Sequence, residues 1–248
     1  MRTQIAALAV VAMIAGAVPL GAQNRLGGNI RANPPSGPAP RLPNGKPDFS
    51  GVWLGGGAVG DIATGLAKGE ELPVLPAVKR LVDTQPAKED PQANCQPLPP
   101  PRATPYPWRV MFTPTHAFFF YEMYGYRQVF MDGRTHPPAD ELFPNWWGHS
   151  IGWWEGDTFV IDTIGMNDKT WMDNKGNRHT EKMHLIERWT RTDLGHLHVE
   201  YTVEDPGAYS RPFTLNFNAQ LMPKTDELIE YICEENNQDL PYLVGTKQ

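Results

Sequence analysis

Apolar and polar residues alternate with a period of two along most of the chain beyond residue 109. Leu197, Val199 and Tyr201 alternate with polar neighbours, and the same alternation recurs over residues 213–219. Because strand side chains point alternately to opposite faces, this pattern predicts half-buried antiparallel strands. The predicted strands cover residues 49–54, 110–121, 126–131, 146–154, 157–163, 182–192, 196–204, 213–222 and 228–234.

About eight to nine strands, most of them joined by short turns, predict an all-β fold. We expect an antiparallel up-and-down barrel of lipocalin-like shape, in a single domain over residues 48–248. A barrel is favoured over a sandwich because closure leaves no exposed strand edge.

The first part of the chain lacks this periodicity. Residues 5–20 form an apolar run after one arginine, which is typical of a secretory signal peptide over residues 1–22. Residues 23–47 are rich in Gly, Pro and Asn and predict a flexible leader. Prolines cannot donate to a strand ladder, so the proline-dense residues 55–108 predict an irregular wrap around the barrel, with one short helix after Pro76.

The predicted signal peptide and the acidic charge limit the location and the partners. The apolar run is too short to span a membrane convincingly, so we expect a periplasmic or secreted protein without membrane insertion. The formal net charge is −6 at pH 7, which disfavours nucleic acid as a partner. In an oxidising compartment the two cysteines, Cys95 and Cys233, predict a structural disulfide that ties the wrap to the last predicted strand.

A tryptophan-rich hairpin over residues 146–163 contains the first candidate site. If Glu155 and Gly156 form the turn, counting along both strands places His149 opposite Asp162. A carboxylate opposite an imidazole fixes the tautomer of the ring and raises its basicity, and at a core-facing position this pair predicts an active site or ligand site. The alternative is a buried histidine whose aspartate partner only stabilises the sheet.

The same counting applied to two other hairpins adds two candidate carboxylates. Around the loop 193–195, Glu187 faces Tyr201 on the apolar side and is a candidate general acid or base. A loop longer or shorter by one residue would turn Glu187 to solvent. Around Tyr124 and Gly125, Glu122 faces Arg127, and this pair could bind an acidic group or only close one end of the barrel.

Two segments at the barrel rim contain further candidate ligand-binding residues. Asp132, Arg134 and His136 occur in one loop stiffened by two prolines, and residues 167–181 add a second polar segment. The candidates from that second segment and from the tryptophan cluster are Trp171, His179, Trp146, Trp147, Trp153 and Trp154. The tryptophans could line an aromatic cleft, although such rings are also common in cores.

No metal site or cofactor is predicted. Metal ligation needs three or four converging ligands, and the histidines and carboxylates of this chain lack a recognised ligand spacing. The potential ligands considered are His136, His149, Asp162, His179, His184 and Glu187.

Four motifs resemble those of a large family of uncharacterised exported bacterial proteins. They are DFSGVW at 48–53, DGRTHP at 132–137, GHSIGWWEGDT at 148–158 and EYICEEN at 230–236. The pair Glu187 and Arg188 is part of the same resemblance. The resemblance implies export and a single domain, and it brings no established activity. Separately, Gly51 and Trp53 on the first predicted strand resemble the Gly-x-Trp motif of the calycin superfamily, which implies a lipocalin-like barrel.

These patterns together predict a periplasmic small-molecule barrel, with acid/base chemistry on a hydrophobic or aromatic ligand as its leading function. In this hypothesis of a lyase, isomerase or hydrolase, His149 is the base and Asp162 orients it. Glu187 or His136 would be the acid, and Arg134 or Arg127 would stabilise an anion. The alternatives are a binding protein without chemistry and a structural module of the cell envelope.

Overall fold

The computed structural model describes residues 33–58, 60–123 and 125–233. The strands of this part of the chain are β1 (Trp53–Gly55), β2 (Trp108–Phe112), β3 (His116–Tyr121), β4 (Gly125–Phe130), β5 (His149–Glu155), β6 (Thr158–Ile164), β7 (His184–Arg191), β8 (His196–Glu204) and β9 (Phe213–Leu221). They close into one barrel in chain order, with β9 paired to β1. Neighbouring strands are antiparallel except β4 and β5, which are parallel. The predicted all-β barrel is therefore confirmed, with one parallel junction that was not predicted.

Two predicted strands differ from the structure. Residues 110–121 belong to two strands, β2 and β3, because Pro114 has no N–H to donate and the chain turns there. The backbone N–H of Thr113 closes this turn by donating to the carbonyl of His116 at 2.8 Å. Residues 228–233 form no strand, since β1 already occupies the free edge of β9 and closes the barrel.

Aromatic side chains fill the centre of the barrel. The ring of Trp108 stacks 6.2 Å from that of Trp53 and meets that of Trp189 edge-on at 5.1 Å. Phe119 and Tyr201 also pack against Trp189, with ring centroids 5.3 Å and 6.2 Å away. All five side chains are buried, and each removes a large apolar area from water. Among the described residues, the centre of the barrel is therefore occupied by a packed aromatic core.

The proline-rich wrap is held on this barrel by hydrogen bonds and by a disulfide. Thr104 Oγ1 donates to the carbonyl of Gly56 at 2.9 Å and lies 3.1 Å from the buried hydroxyl of Tyr201. Cys95 and Cys233 form the predicted disulfide, with their Cα atoms 5.7 Å apart. The bond fastens the wrap to the segment that follows β9. This segment was predicted to be a strand, but in the structure it is not one.

The segments outside the barrel agree in part with the predictions. The helix expected after Pro76 is α1 (Pro76–Thr84), and proline suits its first position because that N–H would have no helical acceptor. Residues 33–47 of the predicted leader are docked on the barrel, where Arg41 pairs with Asp157 at 2.5 Å. The predicted signal peptide lies outside the described residues. Within the described ranges, no helix is long and apolar enough to cross a membrane.

Candidate functional site

The tryptophan-rich hairpin places His149 and Asp162 on one face, but neither their register nor their orientation is the predicted one. The turn is shifted by one residue, so His149 lies opposite Ile164 and Asp162 lies opposite Ile151. Moving the turn by one residue shifts the pairing of the two strands by two positions, so both side chains stay on the same face. That face is the outer wall, because the alternate residues of β5, such as Ser150, are buried inside. The predicted direct pairing and core-facing orientation are both wrong.

Strand β6 is apolar on both faces, which explains the wrong orientation. Phe159 and Ile161 point into the core, whereas Val160 points outward and is nevertheless only 1% exposed. Residues 131–148, which connect β4 to β5, contact this outer wall at Asp162. With both faces covered, the alternation of apolar and polar residues no longer distinguishes inside from outside.

Hydrogen bonds join four side chains across this outer wall. His136, in the connection between β4 and β5, bonds through Nε2 to Oδ1 of Asp162 at 3.0 Å. Its other nitrogen, Nδ1, lies 2.8 Å from Nδ1 of His149. His184, at the start of β7, bonds through Nε2 to the same oxygen of Asp162 at 2.7 Å. We call Asp162, His136, His149 and His184 the outer relay.

The relay determines where its imidazoles carry their protons. Because Oδ1 of the Asp162 carboxylate is an acceptor, His136 and His184 donate to it from Nε2. When His136 is neutral its Nδ1 is an acceptor, so the proton between the two rings belongs to Nδ1 of His149. Nε2 of His149 is then unprotonated, and among the described residues it has no hydrogen-bond partner.

Burial and neighbouring charges separate the pKa values within the relay. Burial, together with the charges of His136 and Arg134, lowers the pKa of His149 below its usual value. The hydrogen bond to Asp162 raises the pKa of His184. Although burial opposes ionisation of Asp162, its hydrogen bonds to His184 and His136 keep its pKa below the usual aspartate value. At neutral pH, His149 is therefore a neutral base linked to an ionised carboxylate.

A cleft of about 570 Å³ opens where β4 and β5 diverge, and we call it the strand cleft. The two strands pair only between Phe130 and Ile151, and the gap beside this contact is the cleft. The side chains around it include Tyr126, Arg127, Phe130, Trp147, His149 and Ser150. Its volume is typical of small-molecule sites.

A second, more open cleft of about 690 Å³ lies along the connection between β4 and β5, and we call it the loop cleft. Arg134 packs over the ring of Phe130 at 3.8 Å and pairs with Asp132 at 2.6 Å. The hydrogen bond from Arg134 lowers the pKa of Asp132 to about 2. His136 and His149 also line the loop cleft, so His149 borders both clefts.

Glu187 lies inside the barrel opposite Tyr201, as the register predicts, but it is not near the relay. Its Oε1 accepts from Nη2 of Arg127 at 2.6 Å, and its Oε2 accepts from Nε1 of Trp189 at 3.1 Å. Although burial opposes the charge of Arg127, the carboxylate of Glu187 raises the pKa of the guanidinium. Glu187 and Arg127 are an internal ion pair, on the opposite face of the wall from His149.

The predicted pair of Glu122 and Arg127 does not form. The turn between β3 and β4 shifts the register by an odd number of residues, so Arg127 faces Phe119 across the strands. Such a shift moves Arg127 from the face of Phe118 and Phe120, where it was predicted, to the buried face of Phe119. Glu122 lies in the turn, where it accepts a hydrogen bond from the backbone N–H of Ile229 at 3.1 Å.

The predicted aromatic ligand residues do not all meet at one place. Trp147 lines the strand cleft, and its ring stacks on that of Tyr121 at 5.3 Å. Trp153 is 40% exposed on the outer wall of β5 and does not border either cleft. Tyr126 and Phe130 line the strand cleft although they were not predicted. The alternation along β4, which puts both on one face, could have indicated them.

Trp171 and His179 lie in the connection between β6 and β7, away from both clefts. Both are buried, and Nε2 of His179 lies 2.7 Å from Oγ1 of Thr170. Arg178 covers the ring of Trp171 at 5.3 Å. These contacts lie within the loop itself, and neither residue lines the strand cleft or the loop cleft. His184 was considered only as a potential metal ligand, and the pairing of its strand with β6 could have indicated its contact with Asp162.

Neither a metal-binding cluster among the described residues nor a known relative indicates a function for this site. In the described ranges, no three His, Cys, Asp or Glu side chains are arranged to hold a metal ion. Comparison with protein-family models, curated proteins and solved structures found no match for this chain. The function is therefore inferred from the outer relay and the two clefts.

Proposed function

We propose that this protein binds a small molecule on the outer wall of its barrel and performs acid/base chemistry on it through His149. The observation that supports this most strongly is the outer relay, which ends at an imidazole bordering both clefts. A general base must be unprotonated, oriented and within reach of its substrate. The lowered pKa of His149 and its bond to His136 meet the first two requirements, and its position between the clefts meets the third.

In this proposal, Nε2 of His149 removes a proton from the bound substrate and later returns a proton to the product. As Nε2 gains its proton, His149 becomes an imidazolium that keeps its proton on Nδ1 and donates it to Nδ1 of His136. The carboxylate of Asp162 stays ionised, holds His136 in place and stabilises the positive charge electrostatically. His136 and Asp162 are positioning residues. Proton transfer of this kind is common to lyases, isomerases and many hydrolases, and it uses no cofactor.

The proposed location is the periplasm or the extracellular space. Two observations support export: the signal-peptide pattern of residues 1–22 and the bond between Cys95 and Cys233. Disulfides persist mainly in oxidising compartments.

Deuterium exchange on a carbon acid tests the proposed chemistry. In D₂O, proton NMR would follow the loss of the methylene protons of phenylacetone, an aromatic ketone, with and without the protein. We expect the wild-type chain to accelerate exchange. His149→Gln should reduce the acceleration about 10²-fold or more, because a positioned base contributes about 10²–10⁴-fold. His198→Gln, which alters an exposed imidazole on β8, is the matched control and should retain it. Exchange that is absent or independent of His149 in folded protein would refute the proposal.

A binding protein without chemistry is the second candidate. The aromatic walls of the strand cleft favour it, because they would hold a ligand whether or not the relay acts. Binding of small aromatic molecules without any exchange would support this candidate. A structural role in the envelope is the third, favoured by the packed aromatic core, and it predicts neither binding nor exchange.

A further inference from the structure

We infer that the strand cleft takes a planar aromatic molecule that carries a carbonyl or another neutral hydrogen-bond acceptor. This inference rests on the proposed function, because it names the class of ligand on which His149 would act. Two features support it: the aromatic walls of the strand cleft and its polar, electrically neutral floor.

Aromatic side chains form the walls of the strand cleft. The ring of Trp147 lies within 2° of parallel to that of Tyr121, which fixes the indole before a ligand binds. Tyr126 is 58% exposed at the cleft, and Phe130 is held in place under the guanidinium of Arg134. Aromatic rings attract one another in offset and edge-on contacts beyond the effect of buried area. These walls therefore favour a flat aromatic ligand over a puckered aliphatic one.

Arg127 and Ser150 form a polar floor in the strand cleft. Arg127 donates from Nε to Ser150 and from Nη2 to Thr163 and Glu187. Its Nη1 lies beside the buried hydroxyl of Tyr121, which can accept from it, and among the described residues neither group has another hydrogen-bond partner. The hydroxyl hydrogen of Tyr121 then has no acceptor, and buried polar groups are rarely left unpaired. An acceptor oxygen that reaches the floor would therefore be stabilised.

Ion pairing makes the surroundings of the strand cleft electrically neutral. Arg127 is matched by the buried Glu187, and Arg134 at the loop cleft is matched by Asp132, each at 2.6 Å. A ligand carboxylate would lose its hydration without meeting an unmatched positive charge. A neutral carbonyl accepts the same hydrogen bond at a smaller desolvation cost. The floor therefore favours a neutral acceptor over a carboxylate.

Three probes of similar size test this inference by NMR titration of the full chain at about pH 8, where His149 is neutral. Benzoate replaces the amide of benzamide with a charge, and cyclohexanecarboxamide replaces its aromatic ring. We expect benzamide to bind at least about tenfold more tightly than either, a difference of about 1.4 kcal/mol. Tighter binding of benzoate, equal binding of cyclohexanecarboxamide or no detectable binding of benzamide would overturn the inference.

Matched substitutions locate the bound probe. Trp147→Leu should weaken benzamide binding by about tenfold, about 1.4 kcal/mol, whereas Trp153→Leu, on the outer wall of β5 and outside both clefts, should leave it unchanged. Because Trp147→Leu also removes the stack on Tyr121, Gln128→Trp is a second variant that fills the cleft from its rim. Unchanged benzamide affinity in folded Trp147→Leu and Gln128→Trp proteins would place the probe elsewhere and overturn the inference.

His149→Gln separates this inference from the proposed function. The variant removes the imidazole that stacks on Phe130 at 5.2 Å but keeps Trp147, Tyr126 and the floor, so benzamide should still bind more tightly than benzoate and cyclohexanecarboxamide. If benzamide binds with the expected preference but exchange does not depend on His149, the proposed chemistry fails and the ligand class stands. If exchange depends on His149 but benzamide shows no preference, the ligand class fails and the chemistry stands.

Discussion

Asp162 is the residue on which the outer relay depends. Its Oδ1 accepts hydrogen bonds from both His136 and His184, so one carboxylate links the β4–β5 connection to strand β7. Two donors favour the ionised form of a partly buried carboxyl group, and the pKa of Asp162 is accordingly lowered despite its burial. The ionised carboxylate in turn fixes the ring of His136, and through it the ring of His149.

His184→Gln tests this linkage through the pH dependence of stability. The folded-state pKa of His184 is raised above its unfolded value of about 6.5. The stabilisation is therefore fully present below about pH 6.5 and is lost as the pH rises through the folded pKa. We expect the variant to lower the free energy of unfolding by up to about 1 kcal/mol at about pH 5.5, and by less at about pH 9.

Urea denaturation at both pH values would measure this difference, with His198→Gln as the control. A loss of stability that is equal at the two pH values, or larger at the higher one, would mean that His184 is not held by an ionised Asp162.

Residue types in the sequence identified much of the relay but not its position. His136, His149 and Asp162 were predicted because an imidazole and a carboxylate at nearby positions suggest proton transfer. Their meeting on the outer wall could not be predicted, because the burial of that wall depends on residues 131–148, which have no periodicity. His184 was considered only as a metal ligand, since nothing local connects it to Asp162.

Hairpin registers were predictable only where the local pattern was unambiguous. In β7 and β8 the strict alternation of both strands favoured a turn at residues 193–195 over a loop one residue longer or shorter, and the predicted register is confirmed. In β5 and β6, Gly156 can be the first or the second residue of a two-residue turn, and the sequence does not decide between them. In β3, residues 117–121 are apolar on both faces, so the predicted pairing of β3 with β4 depended entirely on the assumed length of the turn between them.

Gly148 connects the loop over the relay to strand β5, and Gly148→Ala tests this junction. Its φ is +66°, which costs about 1–2 kcal/mol for a residue with a side chain. An added Cβ would also lie 2.6 Å from the carbonyl oxygen of Ile164, and such overpacking costs about 1–3 kcal/mol more. We expect the free energy of unfolding in urea to fall by the sum of both terms.

Gly156→Ala is the matched control for this substitution. Gly156 also has a positive φ, of 60°, but nothing lies within 4 Å of an added Cβ. Gly156→Ala should lower the free energy of unfolding by about 1–2 kcal/mol, from the backbone conformation alone. Equal losses for the two variants would mean that the close packing at the start of β5 does not contribute.

At the scale of the whole molecule, the parallel junction of β4 and β5 creates the strand cleft. The barrel closes elsewhere by antiparallel pairs, but these two strands pair only at Phe130 and Ile151. A parallel pair requires a long crossover, and residues 131–148 provide one without a helix or strand of their own. Loops of this length are uncommon and are often functional, so the length of this connection was the signal that could have predicted the junction.

The disulfide acts at the same scale, because it joins residues 138 positions apart. Closing so long a loop restricts the unfolded chain, and removing a native disulfide typically costs about 2–5 kcal/mol. We expect Cys95→Ser with Cys233→Ser to lower the free energy of unfolding by this amount. Reduction of the wild-type protein should have the same effect, and it is the control for changes caused by the serines. An unchanged stability in both cases would contradict this account of the wrap.

The tautomer of His149 tests the central claim most directly. Long-range ¹H–¹⁵N NMR correlations at about pH 8.5, assigned with His149→Gln and His136→Gln, would show which ring nitrogen of each histidine carries the proton. The relay predicts His149 with its proton on Nδ1 and a bare Nε2, beside His136 with its proton on Nε2. A His149 ring protonated mainly on Nε2 would have no free base to present to either cleft, and it would contradict the account.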